Sequence, residues 1–321
     1  MDLIYTDAKR ADCGVLTAYA FDLSFGAAEN DFEMTLGADE AVLETGAFVY
    51  FEGTEYGGMV GGIKAITNGE SITYTGRTWH GILNSKVIQP TSGENYFAVS
   101  GEANAVLSTL IARLGLSALF VAAEESSGVN ISGYQFSRYC KAYDGIRAML
   151  AANNAKLKIA WKDRSVVLSA APIVDYTELP VDGDIATLSV EQYKDKVNHL
   201  ICLGKGELAA REVIHLYVDQ FGRIGDVQFF FGLDEITDTY DNSNVESSEE
   251  LRKGGVDRLK ELRNNDKAEI ALLEADGLAY DIGDIVGASE RKSSLNVAAS
   301  VTQKIVKFKN GAISTEYKTG R

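Results

Sequence analysis

The sequence predicts an α+β chain that is mainly β, with two similar small β-barrels, an inserted α/β domain and a helical insertion. Three observations predict it. Apolar residues alternate with polar ones over most of the chain, as half-buried strands require. Helical spacing is confined to three stretches. A set of landmarks recurs in the same order near both ends. The composition agrees: 31 glycines against 3 prolines in 321 residues is a turn-rich balance.

Residues 1–98 read as the first barrel. Val15 to Leu23 is an apolar run with Tyr and Phe, and Phe32, Met34 and Leu36 alternate. Phe48 to Phe51 and Met59 to Ile66 follow, and Asn68-Gly69 is a hairpin signal. Residues 99–172 read as the α/β insertion. Leu107, Leu110, Ile111 and Leu114 share a helical face, as do Tyr139, Tyr143, Ile146 and Leu150. Leu119 to Val121 is a strand candidate between those helices. Leu157, Ile159 and Trp161 alternate, turn at Lys162-Asp163-Arg164 and return at Val166 to Leu168.

Residues 173–242 and 266–321 are assigned to the second barrel. Its upstream strands are expected at Val197 to Leu203, Val213 to Val218 and Val227 to Phe231. Residues 243–265 form the helical insertion, with Ser247 and Glu250 at capping-box spacing and Leu251, Leu259 and Leu262 on one face. Gly254-Gly255 either weakens this helix or admits a close neighbour.

The repeat is the most informative feature. Glu33-Met34-Thr35-Leu36 matches Glu269-Ile270-Ala271-Leu272. Thr45-Gly46-Ala47-Phe48-Val49 matches Ile282-Gly283-Asp284-Ile285-Val286. Gly61 to Ile66 lines up with Thr302 to Lys307. Both copies reach Asn-Gly (68–69 and 310–311) and close with Tyr74-Thr75-Gly76-Arg77 or Tyr317-Lys318-Thr319-Gly320-Arg321. Gly46 and Gly283 stand where a turn enters a strand, a place for positive φ. The competing explanation is chance similarity between two β meanders; four landmarks in conserved order argue against it. Three chains with two barrels each would put six similar units around an axis, sixfold geometry from threefold symmetry.

Charge and chemistry narrow the function. A net charge of −15 disfavours general nucleic-acid binding, which needs clustered Lys and Arg. Cys13, Cys140 and Cys202 are scattered, which fits a reducing compartment without disulfides or a zinc set. The N-terminal residues have no leader-like pattern, and no apolar run is long enough to span a bilayer. His80, His199 and His215 lack metal-ligand spacing; His199 and His215 could face each other across strands, the plainer reading being packed strand histidines. Asp234-Glu235, Asp238 and Asp241 offer an acid–base pair or a cation site, with a solvated acidic loop the plainer reading. Gly204-Lys205-Gly206 reads as a turn and Cys140 as a packed thiol in a helix. Phe229-Phe230-Phe231 is either a strand buried on both faces or a strand with one face in a subunit interface. No catalytic, cofactor-binding or metal-binding residue is assigned.

The order of these pieces resembles the baseplate hub (tail-associated) proteins at the tip of phage tails and phage-like contractile injection particles. The resemblance is carried by Tyr74 to Pro90 with its Gly76-Arg77 pair, by the Tyr139 to Leu150 helix, by Val197-Asn198-His199-Leu200 and by Tyr280 to Val286. It covers nearly the whole chain, though no single motif in it is specific. It implies a non-enzymatic virion structural protein: a homotrimeric, pseudo-hexameric ring that adapts a hexameric tail tube to a trimeric spike around a central channel. The implied partners are the tail tube or distal tail protein, the spike and the tape-measure protein, with no cofactor, no specific nucleic-acid binding and no membrane insertion. The implied place is the tail baseplate of a phage or bacteriocin-like particle, assembled in the bacterial cytoplasm. Because the sequence stops at Arg321, spike and lytic domains are expected on separate chains. Two other functions remain open: a peptidoglycan-degrading tail enzyme using Asp234 and Glu235, and a barrel that binds oligonucleotide or carbohydrate.

Overall fold

The computed structural model of the chain describes residues 1–37, 39–40, 42–66, 69–177, 186–191, 196–219, 223–245, 247–263, 267–273, 279–290, 295–309 and 311–320. It divides into two compact units, Met1–Leu188 with Glu269–Gly320, and Ser189–Ala268. The chain is mainly β, as the sequence predicts.

The first copy of the repeat contains β1 (Leu3–Thr6), β2 (Asp12–Leu16), β3 (Tyr19–Gly26), β4 (Asp31–Gly37), β5 (Phe48–Phe51), β6 (Gly57–Ala65) and β7 (Ser71–Thr78). They pair antiparallel in the order β3-β4-β7-β6-β5-β1-β2. The alternation does what its period dictates: Phe21, Leu23 and Phe25 of β3 and Phe32, Met34 and Leu36 of β4 are buried on one face. The last β6–β7 pair among the described residues is Ala65 with Ile72. Asn68 and Asn310 lie outside the described residues. In the second copy Lys309 pairs Ala312, and Gly311 has φ 75°.

The insertion follows: α1 (Trp79–Asn84), β8 (Val87–Ile88), β9 (Ala98–Glu102), α2 (Ala103–Arg113), β10 (Phe120–Ala122), β11 (Asn130–Gln135), β12 (Cys140–Lys141), α3 (Ala142–Ala151), β13 (Ala155–Lys162) and β14 (Ser165–Pro172). The short α1 has no sequence signature of its own length. Thr78 Oγ1 accepts from Gly81 N at 3.3 Å, and Trp79 through Leu83 are buried, so packing holds a helix that would not persist alone. The second helix starts at Ala142 rather than Tyr139, which has φ 55°; Cys140 therefore lies in β12 and not in a helix. The insertion's core continues into the first copy, where Trp161 stacks on Tyr50 (4.3 Å) and on Trp79 (5.1 Å).

After β15 (Ala186–Glu191), the second unit holds β16 (His199–Leu203), β17 (Val213–Val218), β18 (Ile224–Gly225), β19 (Thr237–Asp241) and α4 (Ser248–Arg263). This corrects an expectation. The strands placed upstream in the second barrel instead form a separate four-stranded sheet, β18-β17-β16-β19. Its apolar face, Leu200, Cys202, Leu216 and Val218, packs against Leu251 and Leu259 of α4. Alternation reveals that a strand has an apolar face, but not which element covers it. Val227 to Phe231 is not a strand either, and Phe229 and Phe231 are exposed. In α4, Ser247 Oγ accepts from Glu250 N at 3.2 Å. A Cβ on Gly255 would lie 2.4 Å from Cys202 Sγ, so Gly254-Gly255 admits a close neighbour.

The second copy resumes with β20 (Lys267–Leu273), β21 (Ile285–Glu290), β22 (Leu295–Lys309) and β23 (Ala312–Gly320). Its order is β15-β20-β23-β22, with β21 on β22. The two similar units expected from the repeat are joined: β22 is long enough to pair β21 along its first part and β3 along its second, so both copies share one twelve-stranded sheet. Among the described residues no ladder closes either copy on itself.

Candidate functional site

The duplicated junction repeats in its hydrogen bonds as well as in its strand order. Gly46 and Gly283 have left-handed φ, 91° and 103°. Gly46 N donates to Val60 O and Gly283 N to Val301 O, each at 2.8 Å. In return Val60 N donates to Ala47 O (2.9 Å) and Val301 N to Asp284 O (2.8 Å). Three residues before each glycine a main-chain N–H meets a tyrosine hydroxyl: Leu43 N to Tyr74 Oη and Tyr280 N to Tyr317 Oη, both 3.2 Å. One residue after Val60 and Val301 both strands bulge, at Gly61 and Thr302. Past the bulge Ile63 pairs Tyr74 and Lys304 pairs Tyr317. Chance similarity between two hairpins does not reproduce a bulge and a tyrosine bond at matched positions.

Beyond the bulge the copies part. In the second, Gln303–Lys309 pairs with Gly26–Ala20 of β3. Lys304 is therefore buried, its ammonium 2.8 Å from Glu55 Oε1 and over the Tyr56 and Tyr317 rings. Burial alone would lower its pKa; the Glu55 carboxylate, then Tyr56 and Tyr317, hold it above the usual lysine range. Glu55 Oε2 lies 3.7 Å from His80 Nε2. His80 is enclosed and stacks on Phe25 with ring centroids 4.4 Å apart. Burial, and then the charges of Lys304 and Arg147, push His80 down to about 3.

A second charged cluster ties the insertion to the second copy. Lys156 Nζ bonds Asp284 Oδ1 and Oδ2 at 2.6 and 2.8 Å and Asp281 Oδ2 at 2.7 Å. Lys158 Nζ also reaches Asp281, at 2.8 Å. Asp284, fully buried, accepts from Val174 N and Asp281 N, both at 2.9 Å. Desolvation opposes the charge on Lys156, yet the bonds to Asp281 and Asp284 raise its pKa. Desolvation likewise opposes the charge on Asp281, and Lys156 and Lys158 lower its pKa in spite of it. Periodicity carries no signal for this cluster, because its partners lie more than a hundred residues apart. Only the equivalence of Asp284 with Ala47 could have flagged a charge at a buried place.

The candidates named from sequence are brought together only in part. His199 and His215 do face each other, Nε2 to Nδ1 at 2.8 Å, and His199 Nδ1 lies 2.6 Å from Glu235 Oε1. The facing nitrogens can share one proton, so at least one ring is neutral while the bond lasts. No hydroxyl of serine and no thiol is bonded to either ring among the described residues. In the acidic stretch Glu235 goes to His199, Asp241 to Arg211, and Asp238 accepts from Thr239 N. The Gly204-Lys205-Gly206 segment is the β16–β17 turn, with Gly206 at φ 101°. Burial pushes the Cys140 and Cys202 thiols up, as expected of packed cysteines. Among the described residues no three His, Cys, Asp or Glu side chains gather as metal ligands, and no helix is long and apolar enough to cross a membrane.

No family model and no curated protein matches the chain. Solved structures do. The tail protein from Neisseria meningitidis is 12% identical at a TM-score of 0.56, over 100% of this chain and 96% of that chain. The 43 kDa tail protein of prophage MuSo2 from Shewanella oneidensis is 12% identical at 0.60, over 100% and 98%. The chain has a phage tail-protein fold. Prophage tail protein gp18 from Listeria monocytogenes adds a third likeness, 13% identical at a TM-score of 0.54 over 99% and 94%. At such identities the likeness resides in the path of the backbone, which is where the duplication also resides.

Proposed function

We propose that the chain is a structural tail protein of a phage or phage-like particle, a baseplate hub and not an enzyme. Three copies form a ring of six similar β units that joins a hexameric tail tube to a trimeric spike and leaves a channel. The observation that carries this reading is the duplication: β3-β4-β7-β6-β5 repeated as β15-β20-β23-β22-β21, with the bulge and the tyrosine bond repeated too. A symmetry adaptor needs two near-equivalent surfaces per chain, and duplication supplies them. The full-length likeness to tail proteins supports the same assignment.

The partners in this reading are tail components: the tube or distal tail ring, the spike and the tape-measure protein. The sheet face opposite the core suits a passage wall. Lys307, Asp22, Glu33 and Thr75 stand side by side across four strands, and Asp31 pairs Arg77. This face mixes both signs with hydroxyls, so the acidic surplus of the chain is not concentrated on it, and it offers a passing polymer little apolar surface to adhere to.

Light scattering after size exclusion, with negative-stain imaging, tests the ring. The expected result is a mass three times that of the chain and a ring with a lumen. A monomer at every concentration up to tens of micromolar would overturn the reading.

A further inference from the structure

The internal joint between the two copies is a strand-to-strand ladder, β22 with β3. Each chain holds the two halves of a second such joint, and among the described residues neither half is paired in that way. The equivalent of β22 is β6, matched at the bulge and at the Tyr74 and Tyr317 pairings. The equivalent of β3 is β15, since β3 flanks β4 and β15 flanks β20; on sequence we align Leu23-Ser24-Phe25 with Leu188-Ser189-Val190. Among the described residues, β6 beyond Gly62 pairs only with β7, and β15 pairs only with β20.

Side-chain exposure on β6 points the same way independently. Lys304 and Val306, on the strand that β3 covers, are 3% and 0% exposed. Their equivalents on β6 are Ile63, 45% exposed, and Ala65, also exposed. Ile66 just beyond is 69% exposed. An open strand edge with bare isoleucines is a surface that monomeric proteins avoid. The same backbone, when covered, is dry.

The geometry points to a second copy of this chain as the occupant. We propose that β15 of one chain adds to the free edge of β6 on the next, in the antiparallel register of the internal ladder. That inference rests on the ring reading above and deepens it. Phe25 with Lys304, Ser24 with Ile305 and Leu23 with Val306 translate into Val190 with Ile63, Ser189 with Lys64 and Leu188 with Ala65 across the chain boundary. The ladder ends there. Gly26 passes the Thr302 bulge so closely that a Cβ would lie 2.2 Å from Thr302 O, and position 191 is Glu. Each chain has one donor strand and one acceptor edge, so the contact is head-to-tail. It closes into a ring if the rotation between copies closes, and otherwise runs on as a filament. Main-chain hydrogen bonds supply the attachment, and the covered isoleucines add apolar burial.

The test is a pair of cysteines, Lys64→Cys with Ser189→Cys, in a Cys13→Ser background that removes the exposed native thiol. Under mild oxidation the full chain should give covalent dimers and trimers on a non-reducing gel and nothing larger. Lys64→Cys with Val190→Cys, slipped by one residue and so on opposite faces, should cross-link at least about tenfold less. Hydrogen exchange on the unmodified protein reads the same contact without a substitution. Those amides of 62–66 and 186–190 that do not already bond β7 or β20 within the chain should exchange slowly at high concentration and fast on dilution. A trimer by light scattering that neither cross-links at 64 and 189 nor protects these amides would overturn the strand joint and leave the ring standing. A persistent monomer would overturn both.

Discussion

Replacing Lys156 by methionine keeps the side chain's length and removes its charge. Asp284, buried to 0% exposure, then loses the ammonium that bonds both its oxygens. Breaking a buried ion pair from one side costs about 3–5 kcal/mol. Two features place Lys156→Met at the lower end, about 3 kcal/mol. Asp284 keeps its two main-chain donors, Val174 N and Asp281 N, and Asp281 keeps Lys158. With a urea slope of about 2–3 kcal/mol/M, the midpoint should fall by roughly 1–1.5 M. The chain's 2 tryptophans, Trp79 and Trp161, are both buried in the unit concerned, so fluorescence follows its unfolding. Adding Asp284→Asn should recover part of the loss, with a coupling of at least about 1.5 kcal/mol in the double-mutant cycle. The sign of the pH dependence follows from Asp281. Its folded pKa is lowered, so the stabilisation is present above the unfolded value of about 3.9 and disappears as pH falls through the folded one. The deficit of Lys156→Met should therefore shrink in acid. A single-substitution loss under about 1 kcal/mol, or an additive cycle, would refute the reasoning.

Three further outcomes are expected. His80 is held neutral with its pKa at about 3, so protonation favours the unfolded chain: stability should fall as pH drops from about 6.5 towards 3, by up to about 5 kcal/mol, and His80→Phe should flatten that limb in acid unfolding curves. Gly46→Ala and Gly283→Ala should each cost about 1–2 kcal/mol for the left-handed backbone, with Gly283→Ala the worse in the same urea assay, because its Cβ would sit 3.1 Å from Lys156 Cβ against 3.8 Å from Ala8 Cβ at Gly46. Gly255→Ala forces a methyl to within 2.4 Å of Cys202 Sγ and should cost about 1–3 kcal/mol in the other unit, read as faster labelling of the Cys202 thiol.

Much of this was legible in the sequence, for identifiable reasons. Strands such as Asp31–Gly37 and the Leu157 to Leu168 hairpin follow from alternation and turn residues, which are local signals. The repeat was visible because Gly46, Gly283, Tyr74 and Tyr317 each serve a backbone geometry that tolerates few residues. The partners of β16 and β17 were not visible, since an apolar face does not name its cover. Nor was α1, whose six residues are helical only because the core closes over them. The facing of His199 and His215 follows from strand placement, but in sequence Glu235 stands beside Asp234 and 36 residues from His199, so nothing local marks it as a histidine's partner.

A duplicated backbone creates an ambiguity that side chains must resolve. The strand β13 in the insertion touches both copies: Trp161 rests on Tyr50 of the first, and Lys156 enters the turn of the second at Asp284. Counting from the matched glycines, the equivalent of Asp284 is Ala47 and the equivalent of Tyr50 is Gly287. Docked with the copies exchanged, the insertion would bury Lys156 against alanine and leave Trp161 without a ring to stack on. An unpaired buried ammonium alone costs several kcal/mol, a large part of a domain's whole stability. The same logic applies past the bulges, where Lys304 under β3 requires Glu55, and Ile63 on the open edge requires only an apolar cover. The backbone thus fixes that there are two like units, and the pairs Tyr50–Trp161, Lys156–Asp284 and Lys304–Glu55 fix which unit is which.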